Sequence, residues 1–75
     1  MLDMKDDRLK FIADNLRAER NRKNYSQELL AEKSNLSLQT ISLIERCQQV
    51  PSILTAYDIA KALEIDINEL LKGLD

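Results

Sequence analysis

YSQELLAEKSNLSLQTISLIERCQQVPS, residues 25–52, is the stretch on which the fold turns. Ser26 offers an N-cap for a short helix that carries Leu29, Leu30 and Lys33. Asn35-Leu36-Ser37 breaks that helix: Asn35 can turn the chain, Leu36 can point inward, and Ser37 can cap a third helix from about Leu38 to Arg46. Residues 26–46 are therefore expected to form two short helices across a three-residue turn, the spacing of a helix-turn-helix.

The third helix has two unlike sides. With Leu38 set at 0° and about 100° added per residue, Ile41, Ile44 and Glu45 gather on one side. Gln39, Ser42 and Arg46 gather nearly opposite, flanked by Leu38 and Leu43. The first side can pack inward. The second can meet a DNA major groove, which admits a helix and shows a distinct donor and acceptor pattern for each base pair. Gln39 can pair with adenine N7 and N6, Arg46 can reach a phosphate or guanine, and Ser42 can contact either. Leu38 or Leu43 can pack on a thymine methyl group. The same residues also suit the solvated side of an ordinary surface helix, and spacing alone does not separate the two readings.

Outward from this segment, Leu9, Ile12, Ala13 and Leu16 recur at helical spacing and predict a first amphipathic helix over about 6–22. Asp6 and Asp7 near its start, and Arg20, Arg22 and Lys23 near its end, complement the helix dipole. Asn24 follows as a residue that tolerates the left-handed conformation of helix ends. Downstream, residues 47–51 read as a loop closed by Pro51. Ser52 caps a fourth helix in which Ile53, Ala56, Tyr57, Ile59, Ala60 and Leu63 form a wide apolar stripe. Asp66 with Glu69 is a capping-box-like start for a last short helix ending near Gly73. The expectation is an all-α, five-helix domain spanning residues 1–75, with residues 1–5 as a flexible N-terminal extension.

Composition agrees. Seventy-five residues give room for one core, and one glycine and one proline among 44% apolar and 32% charged residues describe a helical protein, not a disordered one. No apolar run approaches membrane-spanning length and no basic-then-apolar leader is present, so neither a span nor a signal peptide is expected. The lone Cys47 has no internal disulfide partner, which suits a reducing cytoplasm. With no histidine and a single cysteine, the usual zinc ligand sets are missing. One glycine, Gly73, cannot build a phosphate-cradling loop, and no two carboxylates are set up as an acid/base pair. The reading is of a non-enzyme without metal or cofactor. The formal charge of −2 is unevenly spread: residues 16–46 carry a net +2, against −1 before them and −3 after. The middle of the chain is its basic part.

The run at residues 25–52 resembles the helix-turn-helix family of phage repressors, Cro proteins and xenobiotic-response-element (XRE) regulators, and the likeness extends from about Leu9 to Leu71. It rests on Ser26-Gln27 opening helix two, Leu30-Ala31 within it, Ile41 and Ile44-Glu45-Arg46 in helix three, then Pro51-Ser52 and Ile59-Ala60-Lys61-Ala62-Leu63. The resemblance implies a lambda-repressor-like domain that binds double-stranded DNA and regulates transcription. It implies that Leu38, Gln39, Ser42 and Leu43 face base edges. Gln27, Ser37, Thr40, Arg46, Gln48 and Ser52 would hold phosphates or support the recognition helix. Arg20 and Glu45 match an internal salt bridge between helices one and three. The family often has glycine where this chain carries Asn24, Asn35, Cys47 and Glu64. Asparagine accepts such turns, cysteine and glutamate less readily, so the loops at Cys47 and Glu64 are expected to differ in shape. Cys47 itself is read as a small loop-packing residue.

A module this small reads few base pairs, which points to a homodimer on a palindromic operator with half-sites about one helical turn apart. Ile65, Ile67, Leu70, Leu71 and Leu74 supply more apolar surface than a short C-terminal segment needs, so they are the candidate dimer face; packing on helix four uses the same residues. A protein-interaction module, or an antitoxin-type protein that binds a protein partner, is the alternative use of the fold that Leu38 and Leu43 leave open.

Overall fold

Caps and apolar spacing place four α-helices in the computed structural model, which describes residues 6–74. They are α1 (Arg8–Arg22), α2 (Gln27–Ser34), α3 (Leu38–Glu45) and α4 (Ile53–Leu63). Ser26, Ser37 and Ser52 cap α2, α3 and α4 as expected. Their hydroxyls accept the backbone N–H of Leu29, Thr40 and Thr55, each at 3.0 Å. Helix α1 starts later than residue 6: Asp7 is its N-cap without a side-chain bond, and the Asp6 carboxylate takes the Arg8 N–H instead at 2.9 Å. The expected extension over residues 1–5 lies outside the described residues.

The expected fifth helix is not an α-helix. Ile67–Glu69 make a single 3-10 turn, with Leu70 N–H bonded to Ile67 O and Leu71 N–H to Asn68 O. Two carbonyls of the segment are taken by a side chain of another helix rather than by backbone N–H groups of an α-helical ladder. Asn15 of α1 donates its side-chain amide to both Leu70 O and Lys72 O at 2.9 Å, stapling the segment to α1. The Asp66 carboxylate does accept the Asn68 N–H, but Glu69 pairs with Lys72 and leaves the capping box half made. Gly73 closes the segment at φ +94°, where a Cβ would lie 2.5 Å from Cδ1 of the Phe11 ring.

All four helices end in the same way. The N–H of Tyr25, Leu36, Gln48 and Ile65 reaches back five residues to the carbonyl of Arg20, Ala31, Leu43 and Ala60, around a left-handed residue. Those left-handed residues are Asn24, Asn35, Cys47 and Glu64, with φ between 59° and 62°. The expectation that Cys47 and Glu64 reshape their loops is thus overturned: the closing backbone bonds impose the glycine-type turn on residues that have a Cβ.

Leu16, Leu30, Ile41, Ile44, Ile59, Leu63 and Leu70 fill the core. Burying each such side chain contributes about 1.5–3 kcal/mol. Helix α2 packs on both α3 and α4, α1 packs on α3, and the C-terminal turn packs on α4. Three of the four residues that follow the left-handed turns, Tyr25, Leu36 and Ile65, pack against this core. The fourth, Gln48 after α3, is exposed.

Candidate nucleic-acid interface

Helix α3 presents one side to the core and the other to solvent, as its angular pattern predicts. Ile41, Ile44 and Glu45 are buried. Leu38 is 45% exposed, Gln39 and Arg46 are exposed, and Ser42 and Leu43 are half-buried. The four residues expected to face bases therefore share one uncovered side of an eight-residue helix.

Glu45 fixes that helix from within. Its carboxylate, 4% exposed, accepts from Arg20 Nε at 2.7 Å and Arg20 Nη2 at 3.0 Å, and from Gln27 Nε2 at 3.1 Å. The two-pronged Arg20 contact is the geometry in which a guanidinium and a carboxylate bind most strongly. Arg20 Nη1 also donates to Tyr25 O at 2.9 Å, so one side chain joins α1, the turn before α2 and the end of α3. The expected salt bridge between Arg20 and Glu45 is present, and Gln27 adds a third link from the first turn of α2.

The hydroxyls of Ser37 and Ser52 are occupied as caps and pair further with Thr40 and Thr55. Their N–H groups and those of the following turn open each helix at the positive end of its dipole. Arg46, the C-cap of α3, makes a long contact of 3.4 Å from Nε to Ser42 O and is otherwise directed outward. Gln48 lies exposed two residues beyond it.

Electrostatics modify the charge reading. Arg17 pairs with Asp14, Arg20 with Glu45, Arg22 with Glu19 and Lys23 with Glu64, while Lys33 sits 5.3 Å above the Tyr25 ring. Most cations of residues 16–46 therefore already have a carboxylate partner, and Arg46 is the cation of that stretch left beside the exposed side of α3.

The C-terminal apolar residues divide. Leu70 is 2% exposed and belongs to the monomer's own core, Ile65, Ile67 and Leu74 are half-buried, and Leu71 is exposed. Two members of the apolar stripe expected on α4 lie outside the core: Ile53 is 78% exposed and Tyr57 53%, and Leu54 beside them, outside that stripe, is 72% exposed. Ile53 and Leu71 line one apolar groove of about 310 Å³ together with Ile67 and Pro51. Two further contributors were missed in the sequence, Asn15 and Arg17 of α1. Arg17 sits three residues before Arg20, and that helical spacing was the available signal. Among the described residues, no helix is long and apolar enough to cross a membrane.

Comparison with known proteins points the same way. The family model HTH_3, described as Helix-turn-helix, matches residues 16–70. The chain is 32% identical over 69 residues to the HTH-type transcriptional regulator y4dJ of Sinorhizobium fredii, covering 92% of this chain and 90% of that protein. It is 40% identical over 60 residues to the control protein C.SmaI of Serratia marcescens, covering 80% of this chain and 71% of that protein. The crystal structure of the restriction-modification controller protein C.AhdI from Aeromonas hydrophila superimposes with a TM-score of 0.80 at 35% identity, over 83% of this chain and 94% of that one.

Proposed function

The chain belongs to the helix-turn-helix (HTH_3, XRE-type) family of transcriptional regulators, and we propose that it regulates transcription by laying α3 in the major groove of an operator. DNA binding is the family's activity; the finer reading rests on one observation. The buried side of α3 is held through Glu45 to both α1 and α2, while Leu38, Gln39, Ser42 and Leu43 stand on its uncovered side. A rod fixed from behind and polar in front is what direct readout needs. Arg46 and Gln48, with the N–H groups that follow Ser37 and Ser52, would grip the flanking phosphates. Gln27 supports α3 through Glu45.

Two copies would read a palindrome. The occupant favoured for the exposed apolar side chains of α4 and Leu71 is the same surface of a second copy, since Ile53 stands beside a groove it could fill on a two-fold mate. The likeness to the controllers C.SmaI and C.AhdI supports a small regulator of that kind. Exposed Leu38 favours a second use of the same helix, docking on a protein partner.

Selection of bound fragments from random duplex DNA tests the proposal. The expected product is an inverted repeat with half-sites about one helical turn apart, bound by a species that light scattering sizes as a dimer. Recovery of no enriched motif would contradict the DNA reading and favour the protein partner.

A further inference from the structure

We propose that Arg17 is a positioning residue that sets the seat of the recognition helix, and that it contributes to discrimination among DNA sequences without touching DNA. The inference rests on the major-groove reading of α3. The C-terminal carbonyls of α3 can be accounted for one by one. Ser42 O accepts from Arg46 N–H at 3.1 Å, Leu43 O from Gln48 N–H at 2.8 Å, and Ile44 O from Cys47 N–H at 3.1 Å. The last, Glu45 O, accepts from Arg17 Nη2 of α1 at 2.6 Å. Among the described residues, α3 is the one helix whose final carbonyl is held by a side chain from another helix.

The placement suits the task. A guanidinium at a helix C-terminus meets the negative end of the dipole and an orphan acceptor together. Asp14, one turn earlier on α1, takes Arg17 Nη1 at 3.1 Å and keeps the fork aimed at Glu45. Glu45 is thereby gripped twice from α1, its carboxylate by Arg20 and its main chain by Arg17. Side-chain pairing and the burial of Ile41 and Ile44 hold the inner face of this eight-residue helix but leave its last carbonyl without a backbone partner. The second bond fixes the C-terminal end of the rod, and a base-reading contact tolerates errors of only about 0.5 Å and 10–20°.

Arg17→Met and Arg17→Lys would be compared with wild type on the selected duplex and on a scrambled duplex, from low to moderate salt, with thermal unfolding followed alongside. Arg17→Met is expected to lower the ratio of specific to non-specific affinity about five- to tenfold, with the salt slope unchanged and Arg17→Lys recovering part of the ratio. Equal weakening on both duplexes, with a salt slope reduced by about 1, would make Arg17 a phosphate contact and overturn the proposal. An unchanged ratio would overturn it too. If Arg17→Met is unfolded at the assay temperature, the partial loss expected of folded Arg17→Lys carries the same decision. A wild type that discriminates no duplex would instead remove the DNA reading beneath it.

Discussion

Arg20 and Glu45, 25 residues apart in sequence, meet through two parallel bonds at 2.7 and 3.0 Å, with the carboxylate almost wholly out of solvent. A buried pair of this kind contributes less by its attraction than its loss would suggest, because each ion gave up hydration to enter the fold. Its removal is asymmetric. Glu45→Ala leaves the largely covered Arg20, 14% exposed, without its counter-ion and is expected to cost about 3–5 kcal/mol. Arg20→Met with Glu45→Leu removes both charges and is expected to cost much less. Urea unfolding of the three proteins measures this; a double variant as unstable as the single one would mean that the pair itself supplies the stability.

Cys47 holds a left-handed backbone, φ 62°, at the turn that ends the recognition helix. A residue with a Cβ is strained there by about 1–2 kcal/mol, whereas glycine is not. Cys47→Gly is therefore expected to stabilise the protein by about 0.5–1 kcal/mol, after the greater freedom of glycine in the unfolded chain is subtracted. Chemical denaturation at fixed pH checks the sign. A loss of stability would show that the thiol's packing outweighs the strain.

Lys23 and Glu64 join the ends of α1 and α4 through a hydrogen bond of 2.6 Å. That bond holds the Glu64 carboxyl below its ordinary value and raises the Lys23 ammonium above its own. A lowered carboxylate contributes stability that is full above its unfolded-state value and is lost as pH falls through the folded one. A raised lysine contributes stability that is full below its unfolded-state value and is lost as pH rises through the folded one. The pair therefore acts across neutral pH and fades at both extremes. The Tm gap between wild type and Glu64→Gln should be positive at neutral pH in low salt, close on acidification, and narrow as salt screens the exposed charges. A gap that does not vary with pH would assign the effect to something other than this ion pair. Asp6, held down to about 2 chiefly by its hydrogen bonds with Arg8, titrates in both proteins and cancels in the comparison.

Much of the site was legible because it is local. Ser26, Ser37 and Ser52 cap by reaching three residues ahead, and the angular order of Ile41, Ile44 and Glu45 follows from helix pitch. What escaped depends on distant partners. The stripe of α4 is apolar around more of its girth than one core can cover, and sequence does not say that Ile53 and Tyr57 fall on the uncovered part. The last turn reads as a helix until Asn15, 55 residues away, takes the Leu70 carbonyl. The four left-handed turns are visible as places where glycine fits; that cysteine and glutamate adopt them anyway is decided by the backbone bond across each turn. The basic middle of the chain is visible too, but counting charge does not reveal that Arg17, Arg20, Arg22 and Lys23 are already paired.

Sequence reading by the outward side of α3 is decided by Gln39, measured on matched duplexes at one salt concentration. Wild type and Gln39→Ala would be titrated against the selected operator and against a scrambled duplex of equal length. A loss of about 1–3 kcal/mol confined to the operator, with the scrambled duplex bound as before, is the expected result. Equal binding of both proteins to both duplexes would contradict the placement of this helix in the groove.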